Sequence, residues 1–192
     1  MFPNLLATNY GVLLECLNLR IEGEERLGLF GKLMEGSVVR DLGLESISVK
    51  ASASGYDVGG LAGNNWGFVT ACYSIGTVTG DKDVGGLIGY NVGNVLNCYS
   101  ACSVFGSERV GGLVGDNLSG DVRYCFWDTW ICGQNWYGGG IGKTTAEMQT
   151  ASTFLEAGWD FVDESENGNK DIWWILEGQD YPRLWWELIP EN

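Results

Sequence analysis

Three cysteines, Cys72, Cys98 and Cys125, fall 26 and then 27 residues apart, and thiolate ligation or disulfide bonding is the first chemistry such a series suggests. A line of sulfurs, one to each segment, offers zinc no set of four converging ligands. Stacked about 5 Å apart, neighbours would fall within disulfide range, but parallel side chains miss the required dihedral. Free, buried thiols behaving as small hydrophobes are therefore expected. Cys102 is expected near Cys98 on the same inward face without a bridge to it, and Cys16 and Cys132 belong to no interpretable pattern.

Carboxylates are the other reactive groups. Asp116, Asp121 and Asp128 share one segment, and glycosidases need two carboxyls about 5–10 Å apart across a cleft. Neighbouring segments carry no acids at matching positions, so the sequence builds no repeated pair. Asp81 and Asp83 flank a polar loop, and Asp163-Glu-Ser-Glu-Asn-Gly168 is similar to the start of a calcium loop. The strongest ligand of such a loop, a carboxylate at its twelfth position, is here Trp174, which leaves a solvated turn. The chain has no histidine, which removes Ser-His-Asp and Cys-His catalysis and histidine-containing metal sites. No metal, cofactor or catalytic residue is assigned.

Recognition without turnover remains. Tyr73, Tyr99 and Phe126 recur at one position, and strand alternation turns them away from the face that carries the cysteines. A column of aromatics on a flat β-face can bind sugar rings or a protein, unless the tail or a neighbouring domain covers it. Trp66, with Val92 and Leu118 at the equivalent turn, forms a second apolar stripe.

The elements that carry these columns come from a repeat. Val-Gly-Gly-Leu opens segments at Val58, Val84 and Val110, a constant period that signals a solenoid. Gly60-Leu61-Ala-Gly63 recurs as Gly86-Leu87-Ile-Gly89 and Gly112-Leu113-Val-Gly115. Asn65, Asn91 and Asn117 recur as well, as do Val69, Val95 and Val122, and Val78, Val104 and Ile131. Each unit holds short β-prone runs between Asn/Gly turns, with Cys72, Ser74, Gly76 and Val78 on one face. One unit cannot bury its apolar side alone, but stacked coils bury all of them and pair their backbones. The glycines suit corners with positive φ or close approach of backbone layers. Leu29-Phe-Gly31, Val39-Arg-Asp-Leu-Gly-Leu44 and Leu14-Glu-Cys-Leu-Asn-Leu19 are weaker, earlier copies, and Gly138-Gly-Gly-Ile-Gly142 begins a further coil that stops. Beyond it, Thr144-Thr-Ala-Glu147 is a capping box for a short helix through about Met148–Phe154. An aromatic tail follows, with Asn167-Gly168 as a turn between two strands, and it suits the cover that an open solenoid end requires.

The repeats resemble the GLUG-motif family, on Gly60-Leu-Ala-Gly63, Gly86-Leu-Ile-Gly89, Gly112-Leu-Val-Gly115 and Asn97-Cys-Tyr-Ser100. The last motif is degraded to Ala71 in one copy and to Tyr124-Cys-Phe-Trp127 in another. The tail from Gly158-Trp-Asp-Phe161 to Tyr181-Pro-Arg-Leu184 is similar to the segment that closes such arrays, so the resemblance spans about residues 27–186. It implies a large exported or surface-bound bacterial protein, often adhesin-like, in which these repeats are accessory modules.

The expected fold is all-β: a short parallel β-solenoid of about five coils, right-handed by the general bias of parallel crossovers, over residues 1–142. Clear repeats span 58–83, 84–109 and 110–137, weaker coils 11–57, and residues 143–192 form an aromatic cap with a short helix. The expected function is a non-catalytic structural or adhesive module, extracellular or at the cell surface and part of a larger polypeptide, which presents a rigid face to a glycan or surface protein. A β-helix carbohydrate-active enzyme and a plain architectural spacer are the alternatives. Lys and Arg number 11 against 25 Asp and Glu, a net charge of −14, which excludes a nucleic-acid footprint. No apolar run approaches the ~20 residues of a membrane span, so insertion is not expected.

Overall fold

The computed structural model describes residues 6–8, 11–13, 19–134 and 138–187. Three parallel ladders run along a stack of four complete coils. One face is built from Tyr56–Gly59, Lys82–Gly85 and Glu108–Gly111, and Leu27 bridges to Val58 at its head. The next face stacks Phe30–Leu33, Ala62–Asn65, Ile88–Asn91 and Val114–Asn117. The broadest carries the long strands Val38–Ala51 and Phe68–Thr79, continued by Asn94–Leu96 with Tyr99–Phe105 and by Asp121–Arg123 with Phe126–Asp128. Arg20–Gly23 and Ile141–Lys143 add part-turns at its two ends, so the stack is nearer four coils than five. A small antiparallel hairpin, Leu6–Thr8 with Gly11–Leu13, precedes it. The copy read at Leu14–Asn18 lies outside the described residues, whereas Phe30 pairs with Ala62 and Val39 with Val69, as the weaker copies require.

Equivalent positions stack because the chain returns to the same place each turn. Tyr73 pairs with Tyr99, Ile88 with Ala62 and Val84 with Val58. Inside the coils Leu61, Leu87 and Leu113 form one fully buried column, and Leu42, Cys72, Cys98 and Cys125 form another. Burying a leucine side chain is worth about 2 kcal/mol, so removing any rung would leave a void that its neighbours cannot fill. The first coil is longer than the others: one extra residue forms a bulge between Leu44 and Ile47, and the rest of the excess lies in the turns before Val38 and after Lys50. Ile131, which the recurrence placed in the Val78–Val104 column, is instead a partly exposed residue of helix α1 (Thr129–Cys132), because the fourth coil turns helical at that point.

The glycines of Val-Gly-Gly-Leu serve close approach. A Cβ on Gly60 would lie 2.6 Å from the Gly86 carbonyl oxygen, and one on Gly86 would lie 2.3 Å from that of Gly112. The left-handed corners fall to other residues. Arg26, Asp57, Asp83 and Arg109 hold positive φ just before the tetrad position, and Asp41, Ala71, Asn97 and Tyr124 do so at a second corner. Glycine is used for positive φ at Gly138, Gly139 and Gly140. These three do not restart the tetrad. They cross the open end of the fourth coil against Val114, Val122 and Leu113, which lets Ile141 pair with Phe126 only 15 positions back.

The tail then folds over the broad face. Asp128 caps α1, and Thr144 with Glu147 forms the expected capping box on α2 (Thr145–Met148). The single helix expected beyond it is two, because α2 ends at Gln149 and α3 (Ala151–Leu155) starts afresh. Asn167-Gly168 lies in an irregular loop and joins no hairpin. The paired strands are Trp173–Trp174 and Arg183–Leu184.

Candidate functional site

The column Tyr73, Tyr99 and Phe126 points outward from the coils, as alternation requires, but it meets the cap and not solvent. The three are 0%, 0% and 2% exposed. Tyr73 and Tyr99 stack with centroids 5.0 Å apart and planes 6° from parallel. Tyr181 continues the stack over Tyr99 at 6.0 Å, and Phe154 meets Phe126 edge-on at 5.2 Å. Trp159 and Trp173, 4.6 Å apart, fill the space between coil and tail. The proposed ligand face is therefore corrected to an internal seam. Its rings carry the tail's own aromatics, and each such pair adds about 1 kcal/mol beyond the area buried.

Polar tips close the seam. The Tyr99 hydroxyl donates to the Pro182 carbonyl at 2.7 Å, and Trp159 Nε1 donates to the Tyr124 carbonyl at 2.9 Å. The Tyr73 hydroxyl lies 2.6 Å from the Glu187 carboxylate and 3.1 Å from that of Glu45. Arg183 sits among them, paired with Glu45 and, at 3.0 Å, with Asp180. Burial pushes the Glu187 carboxyl up, opposed by its bonds to Tyr73 and the Leu184 amide. Burial likewise raises the phenols of Tyr73 and Tyr99 far beyond their usual range and lowers Arg183. The cluster is a clamp between tail and coils, and every member is used in holding it.

Trp66 stays at the surface, 43% exposed, with the Lys32 ammonium 5.0 Å above its ring. The amides of Trp66, Val92 and Leu118 each donate to the coil before, so these side chains stack at one corner, with Met34 above them. Met34 and Leu118 are 61% and 66% exposed. With Val92 half-buried between Trp66 and Leu118, this stripe of four is an apolar column that the cap leaves open.

The cysteine column is a core feature. Each thiol donates to the carbonyl two residues back, at 3.2 Å for Cys72 and 3.1 Å for both Cys98 and Cys125. All three are free, and burial raises the Cys98 thiol well above its usual value, which makes it a poor nucleophile. The three acids of the fourth coil do not converge. Asp116 pairs with Arg109 at 3.3 Å and Asp121 with Arg123, while Asp128 is buried and accepts from Trp130 N, Ile131 N and the Tyr181 hydroxyl. Glu164 accepts from the amides of Glu166 and Asn167, closing its own loop. Among the described residues no group of three or more His, Cys, Asp or Glu converges on a metal position.

Two devices went unread although their residues stood out. Asn65 donates to Asn91 at 2.8 Å and Asn91 to Asn117 at 2.9 Å, an amide ladder along the corner beneath Trp66. Arg109 holds Asp83 through two nitrogens and reaches Asp116, stapling adjacent coils. The asparagines recur in the sequence and could have been read as a ladder. The arginine replaces the aspartates of its column, so repetition alone conceals it.

No family model matches the chain, and no solved structure matches it. A protein of Evansella cellulosilytica described as a Gly-rich membrane protein is 41% identical over 64 residues, 33% of this chain and 6% of that protein. The chain thus spans a small part of the relative's length. Among the described residues no helix is long and apolar enough to cross a membrane.

Proposed function

We propose that this chain is a non-catalytic structural module of a larger, exported bacterial protein of the GLUG type, holding the corner stripe Met34, Trp66, Val92 and Leu118 toward a glycan or surface protein. The observation that carries the reading is the division of the apolar columns. One aromatic column is consumed in fixing the tail to the coils, which stiffens the rod, and one stripe remains available on its flank. An exposed run of apolar residues in register is a frequent mark of interaction. The partly matching relative, itself described as a membrane protein, supports a place at the cell envelope. Binding would be non-covalent, with Trp66 as the stacking platform and Lys32 as a polar neighbour.

A glycan-array and surface-protein binding screen of the full chain tests this. Specific binding that Trp66→Ala together with Leu118→Ser removes, with substrate polysaccharide left uncut, is the expected result. Release of reducing ends would favour the enzyme reading. Absence of any binding would reduce the module to an architectural spacer.

A further inference from the structure

Outside the ladder, two described cysteines occupy positions that do not repeat. In the column of Cys102 the preceding coils carry Gly76 and Ile47, and Cys132 belongs to α1, which interrupts the fourth coil. That helix packs on the strand Tyr99–Phe105. The Ser103 hydroxyl donates to the Ile131 carbonyl at 3.4 Å, and Gln134 Nε2 donates to the Val104 carbonyl at 3.1 Å. The residues next to the first of these contacts, Cys102 and Cys132, both turn into the same core cluster, 0% and 4% exposed. Neither is bridged. Burial pushes both thiols up to about 11, and the Cys132 charge adds to that effect on Cys102.

We propose that Cys102 and Cys132 are an oxidation site, forming a disulfide that ties α1 to the strand beneath it and locks the C-terminal end of the solenoid. The ladder cysteines approach each other along parallel strands, whereas Cys132 approaches from a helix and is not held to that parallel geometry. The oxidant belongs to the class of small disulfides, such as glutathione disulfide. Cys132, the less enclosed thiol, gives its proton to solvent, and its sulfur attacks the glutathione disulfide bond. One glutathione leaves as thiolate and takes up a proton. The Cys102 thiolate then attacks the Cys132 sulfur of this mixed disulfide, releasing the second glutathione. Two electrons and two protons pass from the cysteine pair to the oxidant, which ends as two glutathione thiols. Raised thiols make the reaction slow near neutrality, and its rate climbs about tenfold per pH unit below their titration.

The test is incubation of the folded full chain with glutathione disulfide, alkylation of free thiols, and peptide mapping under non-reducing conditions. Chymotryptic cuts after Tyr99 and Phe126 separate Cys102 from Cys98 and Cys132 from Cys125. A single Cys102–Cys132 bridge, a rate that climbs with pH and a raised unfolding temperature are expected. Cys132→Ser should abolish the bridge and the temperature shift, and Cys98→Ala should change neither. A bridge within the ladder, or none in a chain whose circular dichroism is unchanged, overturns the proposal. The unsubstituted chain gives that answer even if a variant fails to fold.

Discussion

Asn91 stands between two identical neighbours, and both ends of its amide are engaged. Its Oδ1 accepts from Asn65, and its Nδ2 faces both Asn117 Oδ1 and the Gly93 carbonyl. An alanine here would orphan a donor above and acceptors below inside a dry corner, each costing about 1–3 kcal/mol. Asn91→Ala should therefore lower unfolding stability by about 3 kcal/mol in a urea titration. A loss under about 1 kcal/mol would mean that water replaces the rung. Leu33 tops the same column in the first coil, so an apolar residue is accepted at an end of the ladder, where fewer partners are stranded.

Corners set the shape of each coil, and they run against the residue types that fill them. Tyr124 holds φ at 55° while half its side chain faces solvent, and Asn97 holds the same place one coil earlier. A left-handed conformation costs an ordinary residue about 1–2 kcal/mol, less for asparagine. Tyr124→Asn should raise stability by about 1 kcal/mol, and Asn97→Tyr should lower it, both read from denaturation midpoints. The same corners mark the limit of what the sequence discloses. Inward ladders at Leu61, Cys72 and Val78 follow from period and alternation alone. The left-handed corners do not, since Arg26, Ala71 and Tyr124 carry no local mark of positive φ. Likewise Tyr73 and Tyr99 read equally well as a binding face or a buried seam, because a tail's docking partner is a long-range fact.

For the molecule as a whole, pH acts at the joint between tail and coils and at two carboxyls of the coils themselves. Burial raises the Glu187 carboxyl in that joint, and it raises Asp57 and Asp41 on the coils. A carboxyl whose folded value lies above its unfolded one contributes stability fully below the unfolded value. That contribution fades as pH rises through the folded one. Easing the self-repulsion of a chain with net charge −14 works in the same direction. The unfolding temperature should rise as pH falls from about 7 to about 5. Glu187→Gln, which keeps an acceptor for the Tyr73 hydroxyl, should flatten that rise, and an unchanged slope would place the titrating groups elsewhere. Glu147 pulls the other way: its bonds to Thr144 lower its carboxyl, so its contribution is lost only at more acidic pH.

The short step from Phe126 to Ile141 has a consequence for heredity. The tail grips the rungs of Tyr73, Tyr99 and Phe126 and shuts the stack behind them. A tandem duplication of one unit ahead of Val58 would lengthen the rod by about 4.8 Å and keep those three rungs, at the cost of parting Arg183 and Tyr73 from Glu45. A duplication after Phe126 would collide with it. Copy number can thus drift on one side only, and recombination has a ruler whose zero mark is fixed at the cap.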